Sequence, residues 1–94
     1  MIKIKFSLAL FSIFIISSCV KYSDAALADK AGAPLLKGLG DHSHNISSNV
    51  YGVQRYFDQG MMMAFAFNHA ESIRSFKAAQ KLDPSCAMCF WGEA

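Results

Sequence analysis

The sequence has no apolar run long enough to cross a bilayer, for which a helix needs about 20 apolar residues. The longest such run, residues 6–18, consists of apolar residues and Ser and follows Lys3 and Lys5. A charged start and an apolar segment of this length are typical of a secretory signal peptide. We therefore predict a signal peptide at residues 1–18 and favour it over a permanent transmembrane anchor.

An excess of charge is also missing once that segment is removed. Residues 1–18 contain no acidic residue, so the nine basic residues become seven, equal to the seven acidic ones. No basic stripe remains for a nucleic acid, and no polybasic patch for lipid headgroups. The sequence has no acid–base or nucleophile constellation that would predict an enzyme, and it implies no cofactor.

The end of the apolar run predicts how the signal peptide is removed. Ile16-Ser17-Ser18-Cys19 resembles the bacterial lipobox, in which one aliphatic and two small residues precede a cysteine that is lipidated. The alternative is ordinary cleavage at the A-x-A match Ala26-Leu27-Ala28. We favour lipidation of Cys19 by acyl chains such as palmitate, which would attach the protein to the membrane. The expected location is the cell envelope, lipid-anchored or periplasmic; by resemblance to Gram-negative lipoproteins, Val20 favours the outer membrane.

Residues 50–66 and 68–82 have the apolar periodicity of two amphipathic helices joined by a tight turn. Asn68 followed by Glu71 predicts a capped start for the second helix. The first helix is expected to be capped by one of Ser47, Ser48 and Asn49. Asp83-Pro84 is expected to end the second helix, with Asp83 capping the next one.

Large and small residues alternate in these two helices as they do in the tetratricopeptide repeat, a helix pair with a period of 34 residues. The positions expected to carry the repeat packing are Tyr56, Gly60, Met63, Phe76, Ala79 and Pro84. Three residues depart from the usual type, namely Gln59 for Leu, Met63 for Tyr and Ser72 for Ala. Because Gly60 is expected to let the helices approach closely, Gly60→Leu is predicted to destabilise far more than Gly52→Leu.

The pattern begins again one period later. Two aromatic residues and a small one recur in register, with Phe90, Trp91 and Ala94 following Tyr56, Phe57 and Gly60. A single repeat cannot bury its apolar face alone, so we expect the sequence to be the N-terminal fragment of a longer repeat protein. The predicted organisation is a signal peptide at 1–18, a lipidated Cys with a flexible linker at 19–48, a first helix pair at 49–84 and a truncated second repeat at 85–94.

The pair Cys86-Ala87-Met88-Cys89 is the only motif with reactive potential. Its spacing places both sulfurs on one face of a helix. Three interpretations stay open: a disulfide formed in an oxidising envelope, two small buried hydrophobes, or half of a metal or redox site. His42 and His44, with His69 as an outside candidate, are the histidines that could complete a metal site. Two histidines do not make a zinc site, so polar loop residues are the simpler interpretation of that pair.

Five segments of the sequence carry a closer resemblance than the repeat pattern alone, and they lie at residues 39–44, 54–60, 67–71, 74–76 and 82–92. Together they resemble the N-terminal region of a group of bacterial tetratricopeptide-repeat proteins, which run to several hundred residues and generally have no assigned activity. The resemblance implies an all-α helical solenoid but supplies no substrate. The predicted function is a scaffold that binds proteins or peptides on stacked helix pairs. The alternative is a metal-binding or thiol-redox role of the cysteine pair and nearby histidines.

Overall fold

A computed structural model describes residues 21–94 as four α-helices without a strand in that range. They are α1 (Asp24–Ala31), α2 (Val53–Phe65), α3 (His69–Leu82) and α4 (Ala87–Glu93). The prediction of an all-α fold is therefore confirmed for this part of the chain. The predicted signal peptide and the lipidated Cys19 lie outside the described residues.

Helices α2 and α3 form an antiparallel pair, which is the main packing interface of the fold. The ring centroids of Phe57 and Phe76 lie 5.5 Å apart in an edge-to-face arrangement. Further along, Ser72 Oγ donates a 2.7 Å hydrogen bond to the carbonyl of Gly60. From the first contact to the second, the residue number rises on α2 and falls on α3. The two helices therefore run in opposite directions. The apolar faces that the periodicity of residues 50–66 and 68–82 predicted thus pack against each other.

Helix α2 begins at Val53, three residues later than the sequence pattern predicts. Its N-cap is Gly52, which has a φ of 89° and no side chain to hydrogen-bond. The expected caps at residues 47–49 are therefore wrong. A Cβ at Gly52 would lie 2.7 Å from Leu27 Cδ1, in a conformation that L residues rarely adopt. The structure overturns the expectation that Gly52 tolerates a side chain much better than Gly60.

The C-terminal end of α2 is closed by Phe67, the one non-glycine residue with positive φ (58°) in the described chain. The Phe67 N–H donates to Ala64 O at 3.0 Å, and the Asn68 N–H donates to Met63 O at 2.8 Å. These two bonds form a Schellman motif, whose left-handed position usually holds glycine. The ring of Phe67 is 84% exposed, so this residue ends the helix without packing in the core.

Replacing this left-handed residue should relieve backbone strain. We expect Phe67→Gly to raise the free energy of unfolding by about 1 kcal/mol, because glycine lacks the Cβ that opposes positive φ. Phe67→Ala is the matched control, since it removes the exposed ring but keeps the Cβ, and should change little. Urea titrations of both variants followed by circular dichroism would check this. Equal gains from the two variants would contradict the strain explanation.

Helix α3 begins as predicted, with the Asn68 side chain accepting a 3.3 Å hydrogen bond from the Glu71 N–H. It also ends where Asp83-Pro84 predicted, at Leu82, but the start of α4 differs from the prediction. Asp83 is the C-cap of α3, and the N-cap of α4 is Cys86 rather than Asp83. The reason is that the Asp83 carboxylate is already occupied by Ser85, through bonds from both its N–H and its hydroxyl.

Residues 21–48 are folded onto the helix pair, in contrast to the expected flexible linker. Helix α1 begins at the N-cap Ser23, whose Oγ accepts from the Ala26 N–H, and ends at Gly32 in the left-handed conformation. Its residues Leu27 and Ala31 are buried in the same core as α2 and α3. Burial of apolar side chains is what holds this segment, even though glycines and a proline interrupt it.

The ring of Phe76 occupies the centre of the fold between two glycines. A Cβ built on Gly60 of α2 would lie 2.8 Å from the ring, and one built on Gly92 of α4 would lie 2.3 Å from it. Both distances are shorter than real Cβ contacts. The missing side chains therefore let α3 approach α2 on one side and α4 on the other, and we call this arrangement the Phe76 seam.

Candidate functional site

The longest non-helical segment within residues 21–94 packs across α2, and we call its residues 33–48 the strap. Two buried side chains of α2 hold its first part. The Tyr56 hydroxyl donates a 2.6 Å hydrogen bond to Ala33 O. Gln59 accepts from the Leu36 N–H at 2.8 Å and donates to Pro34 O at 3.0 Å. Burial of Tyr56 raises the pKa of its hydroxyl, so the group stays protonated as a donor at neutral pH.

Two further side chains of α2 hold the part of the strap that runs back along the helix. Gln54 accepts from the Ile46 N–H at 3.1 Å and donates to His44 O at 2.8 Å. Asp58 accepts from the His44 N–H at 3.1 Å and from Ser43 Oγ at 2.7 Å. Gln54 Nε2 also donates to Asp58 Oδ1 at 2.9 Å, which orients the two side chains together. The two residues thus form one polar surface directed at the strap backbone.

Between its two attachment points the strap bends away from α2 and leaves a cavity of about 230 Å³. The bend contains Gly38 and Gly40, both with positive φ. His42 lies at the outer end of the bend, where the centroid of its imidazole is 5.6 Å from that of the Phe65 ring. Three charged side chains line the cavity, Asp41, Arg55 and Asp58. Arg55 is paired with Asp24 of α1 at 2.7 Å. The hydrogen bond from Arg55 lowers the pKa of Asp24 below its usual range.

The strap ends at the turn between α3 and α4. Ser48 Oγ donates to the Asp83 carboxylate, which also accepts the two bonds from Ser85. These hydrogen bonds, that from Ser48 first, lower the pKa of Asp83 below its ordinary value of 3.8. Ser48, one of the three residues expected to cap α2, instead joins the strap to this turn.

Acid should loosen this junction. A carboxylate with a depressed pKa contributes stability above its unfolded pKa, and the contribution disappears as the pH falls through the lower, folded value. We therefore expect Asp83 to contribute fully above about pH 4 and progressively less below it. Urea titrations between pH 2.5 and 7 should show a smaller acid loss for Asp83→Asn than for the unaltered protein. Parallel pH profiles for the two proteins would contradict the role of Asp83.

Cys86 and Cys89 are joined by a disulfide at the start of α4. Cys86 is 7% exposed and Cys89 is fully buried. Ile46 and Ser48 of the strap line a cavity of about 160 Å³ beside Cys86. The structure thus combines two of the three interpretations that the sequence left open. The cysteines form a disulfide, and both are buried as small hydrophobic residues would be. Low exposure of both sulfurs disfavours rapid exchange with an external thiol.

Reduction of this disulfide should lower the free energy of unfolding moderately. The disulfide closes a loop of only four residues, so the chain-entropy model gives a loss of about 2 kcal/mol on reduction. Denaturation with and without reductant would measure the difference. The Cys86→Ser, Cys89→Ser double variant is the control and should not respond to reductant. Identical stability of the protein under both conditions would contradict a stabilising crosslink.

The predicted histidine candidates are not brought to the cysteine pair. His42 lies at the Phe65 ring and His44 at the Phe57 ring, while His69 lies beside Phe67. Across residues 21–94, no three His, Cys, Asp or Glu side chains are grouped in a way that could hold a metal ion. His44 contributes to the site through its backbone rather than through its imidazole.

The residues predicted to carry the repeat packing are found mainly in the core. Five of the six are buried, namely Tyr56, Gly60, Met63, Phe76 and Ala79. Pro84 is exposed in the turn between α3 and α4. The side chains one period later are in a different environment, because Phe90 is 50% and Trp91 61% exposed on α4. Tyr56 and Phe57, their counterparts in register, are fully buried.

Two residues important to the structure, Gln59 and Gly92, were not found by the sequence pattern. Gln59 was noted only as a departure from Leu, yet it is buried and bonds both the strap and Ser75. Gly92, on the far side of Phe76, lies outside the positions of the first repeat. A polar residue in an apolar slot was the available signal for Gln59, since buried amides need partners.

Every helix within residues 21–94 is too short or too polar to cross a bilayer. Comparison of the chain with protein-family models, with curated proteins and with solved structures gives no match.

Proposed function

We propose that this protein is an exported, lipid-anchored tetratricopeptide-repeat protein that acts as a scaffold for protein interactions. The observation that carries the proposal is the Phe76 seam. Phe76 and Gly60 are at positions where the repeat pattern requires a large and a small residue, and they interlock in the structure. A helix pair joined in this way can be extended by further pairs, and stacked pairs form elongated binding surfaces.

The exposed face of α4 supports the scaffold part of the proposal. Phe90 and Trp91 follow the buried Tyr56 and Phe57 by one repeat period, but they are largely exposed. Large aromatic side chains of this kind are enriched at protein interfaces, where they supply contact area at low entropic cost. The proposed scaffold therefore uses α4 as a contact surface for a helix of another polypeptide or of a further repeat.

The lipid-anchored part of the proposal is supported by the lipobox-like residues that end at Cys19. Cells that produce the protein would be fed a labelled palmitate, and the membrane fraction would be analysed. We expect the label on the unaltered protein and its loss in Cys19→Ser, with the variant released from the membrane. An unlabelled protein, or equal membrane retention of the variant, would contradict the anchor.

The scaffold part needs a separate test. A photo-crosslinking amino acid would replace Trp91, with Lys37 on the exposed strap bend as the control position. Illumination of cells that produce residues 1–94 is expected to give a discrete protein adduct from position 91 and none from position 37. Absence of adducts from position 91, or the same adducts from both positions, would contradict a contact surface on α4.

A further inference from the structure

Helix α1 is an integral part of the fold. Leu27 is fully buried, and a Cβ on Gly52 would lie 2.7 Å from its Cδ1, so the start of α2 leaves room for this side chain. Arg55 donates to both carboxylate oxygens of Asp24, at 2.7 and 3.2 Å. Cleavage at the A-x-A match would remove Asp24 and Leu27 and leave a cavity in the core. A processing site that keeps the fold intact must lie upstream of α1, as the lipobox-like residues that end at Cys19 do.

A lipid on Cys19 would lie close to one end of the helix pair. Tyr22 is the third residue after Cys19, so an extended chain can separate the two by at most about 11 Å. The Tyr51 hydroxyl donates a 3.2 Å hydrogen bond to Tyr22 O, and Tyr51 comes directly before the N-cap of α2. The lipid would therefore hold the surface of the bilayer against the end of the fold at which α2 begins.

The side chains at that end are of the types found at membrane surfaces. The rings of Tyr22 and Tyr51 have their centroids 6.1 Å apart. Tyr51 is 37% exposed and its neighbour Val50 is 44% exposed. Lys30 Nζ lies 4.7 Å from the centroid of the Tyr22 ring and donates to its hydroxyl at 3.2 Å. Tyrosine has an apolar ring and a polar hydroxyl, and it is enriched where a membrane meets water. Together with Lys21, we call these residues the anchor face.

The charge of the anchor face favours a bilayer that contains anionic lipids. Lys21 and Lys30 are both exposed. The neighbouring carboxylate of Asp24 is paired with Arg55, so it does not cancel the charge of the two lysines. A basic residue close to an anionic leaflet strengthens membrane binding by a factor of about five. Exposed tyrosines also suit a protein partner, but the short chain from Cys19 makes the bilayer the surface next to this one.

We propose that the anchor face contacts the lipid bilayer, with the Tyr22–Tyr51 pair at the level of the headgroups and the two lysines at their phosphates. The inference rests on the proposed lipid anchor at Cys19 and adds the orientation that the anchor gives to the fold. The turn between α2 and α3 lies at the other end of α2, whose 13 residues span about 20 Å. That turn is then directed away from the bilayer.

The test uses cells that produce residues 1–94 and are grown with radioactive phosphate, which labels their phospholipids. A photo-crosslinking amino acid replaces Tyr51, or Val50 in a second variant that keeps the tyrosine pair. Phe67 at the far end of α2 is the control position, since its ring is 84% exposed. Illumination should transfer phosphate label to the protein from positions 50 and 51 but not from 67. Lys30→Glu should reduce this labelling at least about fivefold, whereas Lys77→Glu, the same change at an exposed residue of α3, should not.

A second label, palmitate, distinguishes failure of this inference from failure of the anchor. A protein that carries palmitate but gains no phosphate label from positions 50 and 51 overturns the anchor face and leaves the lipid anchor intact. A protein without palmitate contradicts the anchor and the anchor face together. Equal labelling from positions 51 and 67, or the same labelling after Lys30→Glu, overturns the contact as well. Protein adducts in place of lipid adducts at position 51 would overturn the bilayer assignment in favour of a protein partner.

Discussion

Gly60→Leu is expected to lower the free energy of unfolding by about 3 kcal/mol, at the upper end for overpacking a core. Even the first atom of a side chain at this position would lie 2.8 Å from the Phe76 ring. The ring cannot retreat, because Gly92 of α4 touches it from the other side. The added side chain must therefore push the helices apart or force Phe76 out of its rotamer.

Urea titration of the variant beside Ala70→Leu would measure this effect. Ala70 is an exposed residue of α3, so leucine there should change stability by less than about 0.5 kcal/mol. A double-mutant cycle adds a sharper criterion. Gly60→Ala should cost less in a Phe76→Leu background, because the smaller side chain frees space at the seam. Equal costs for Gly60→Leu and Ala70→Leu would refute the close packing.

Gln59→Leu is expected to destabilise the protein by about 3 kcal/mol, although leucine is the usual residue of the repeat at this position. Gln59 fills the space between strap and helix pair with three hydrogen bonds, to Leu36, Pro34 and Ser75. Leucine would remove the part-buried bonds to the Leu36 N–H and the Pro34 carbonyl, while Ser75 Oγ would keep its bond to Glu71 O. A part-buried group that loses its partner has its own desolvation cost.

Whether Gln59→Leu raises or lowers the free energy of unfolding distinguishes the expectation from the repeat pattern from the expectation from the structure. The repeat pattern alone expects Gln59→Leu to stabilise, since it restores the usual apolar residue. The structure expects a loss, together with faster hydrogen exchange at the Leu36 amide. Ser72→Ala, which also restores a usual residue, is a useful comparison because it removes only the bond from Ser72 Oγ to Gly60 O. A gain in stability from Gln59→Leu would show that the strap does not depend on this side chain.

Local sequence information was sufficient for the helix pair. The three- and four-residue spacing of Val53, Tyr56, Phe57 and Gly60 describes a single helix face, and that face is buried. The cap of α3 followed from Asn68 and Glu71 alone, because the atoms involved are three residues apart. The repeat pattern also predicted a close approach of the helices at Gly60, where the structure packs the Phe76 ring.

The start of α2 shows where local information ended. Ser47, Ser48 and Asn49 are all good capping residues, and the sequence offered no reason to prefer a glycine. The structure uses Gly52, because Leu27 from α1 occupies the space where a side chain would lie. Ser48 is free for Asp83, 35 residues later in the chain. Contacts at such separations have no period in the sequence.

The sequence by itself determined two helices, their buried faces and the close approach at Gly60, because these depend on residues three or four positions apart. Only the tertiary structure decided that Gln59 is a core hydrogen-bonding residue, that Gly92 completes the seam and that the strap packs on α2. Each of these depends on groups from distant parts of the chain that meet only after folding. Buried polar groups need partners and close-packed rings need space, and the three-dimensional arrangement supplies both.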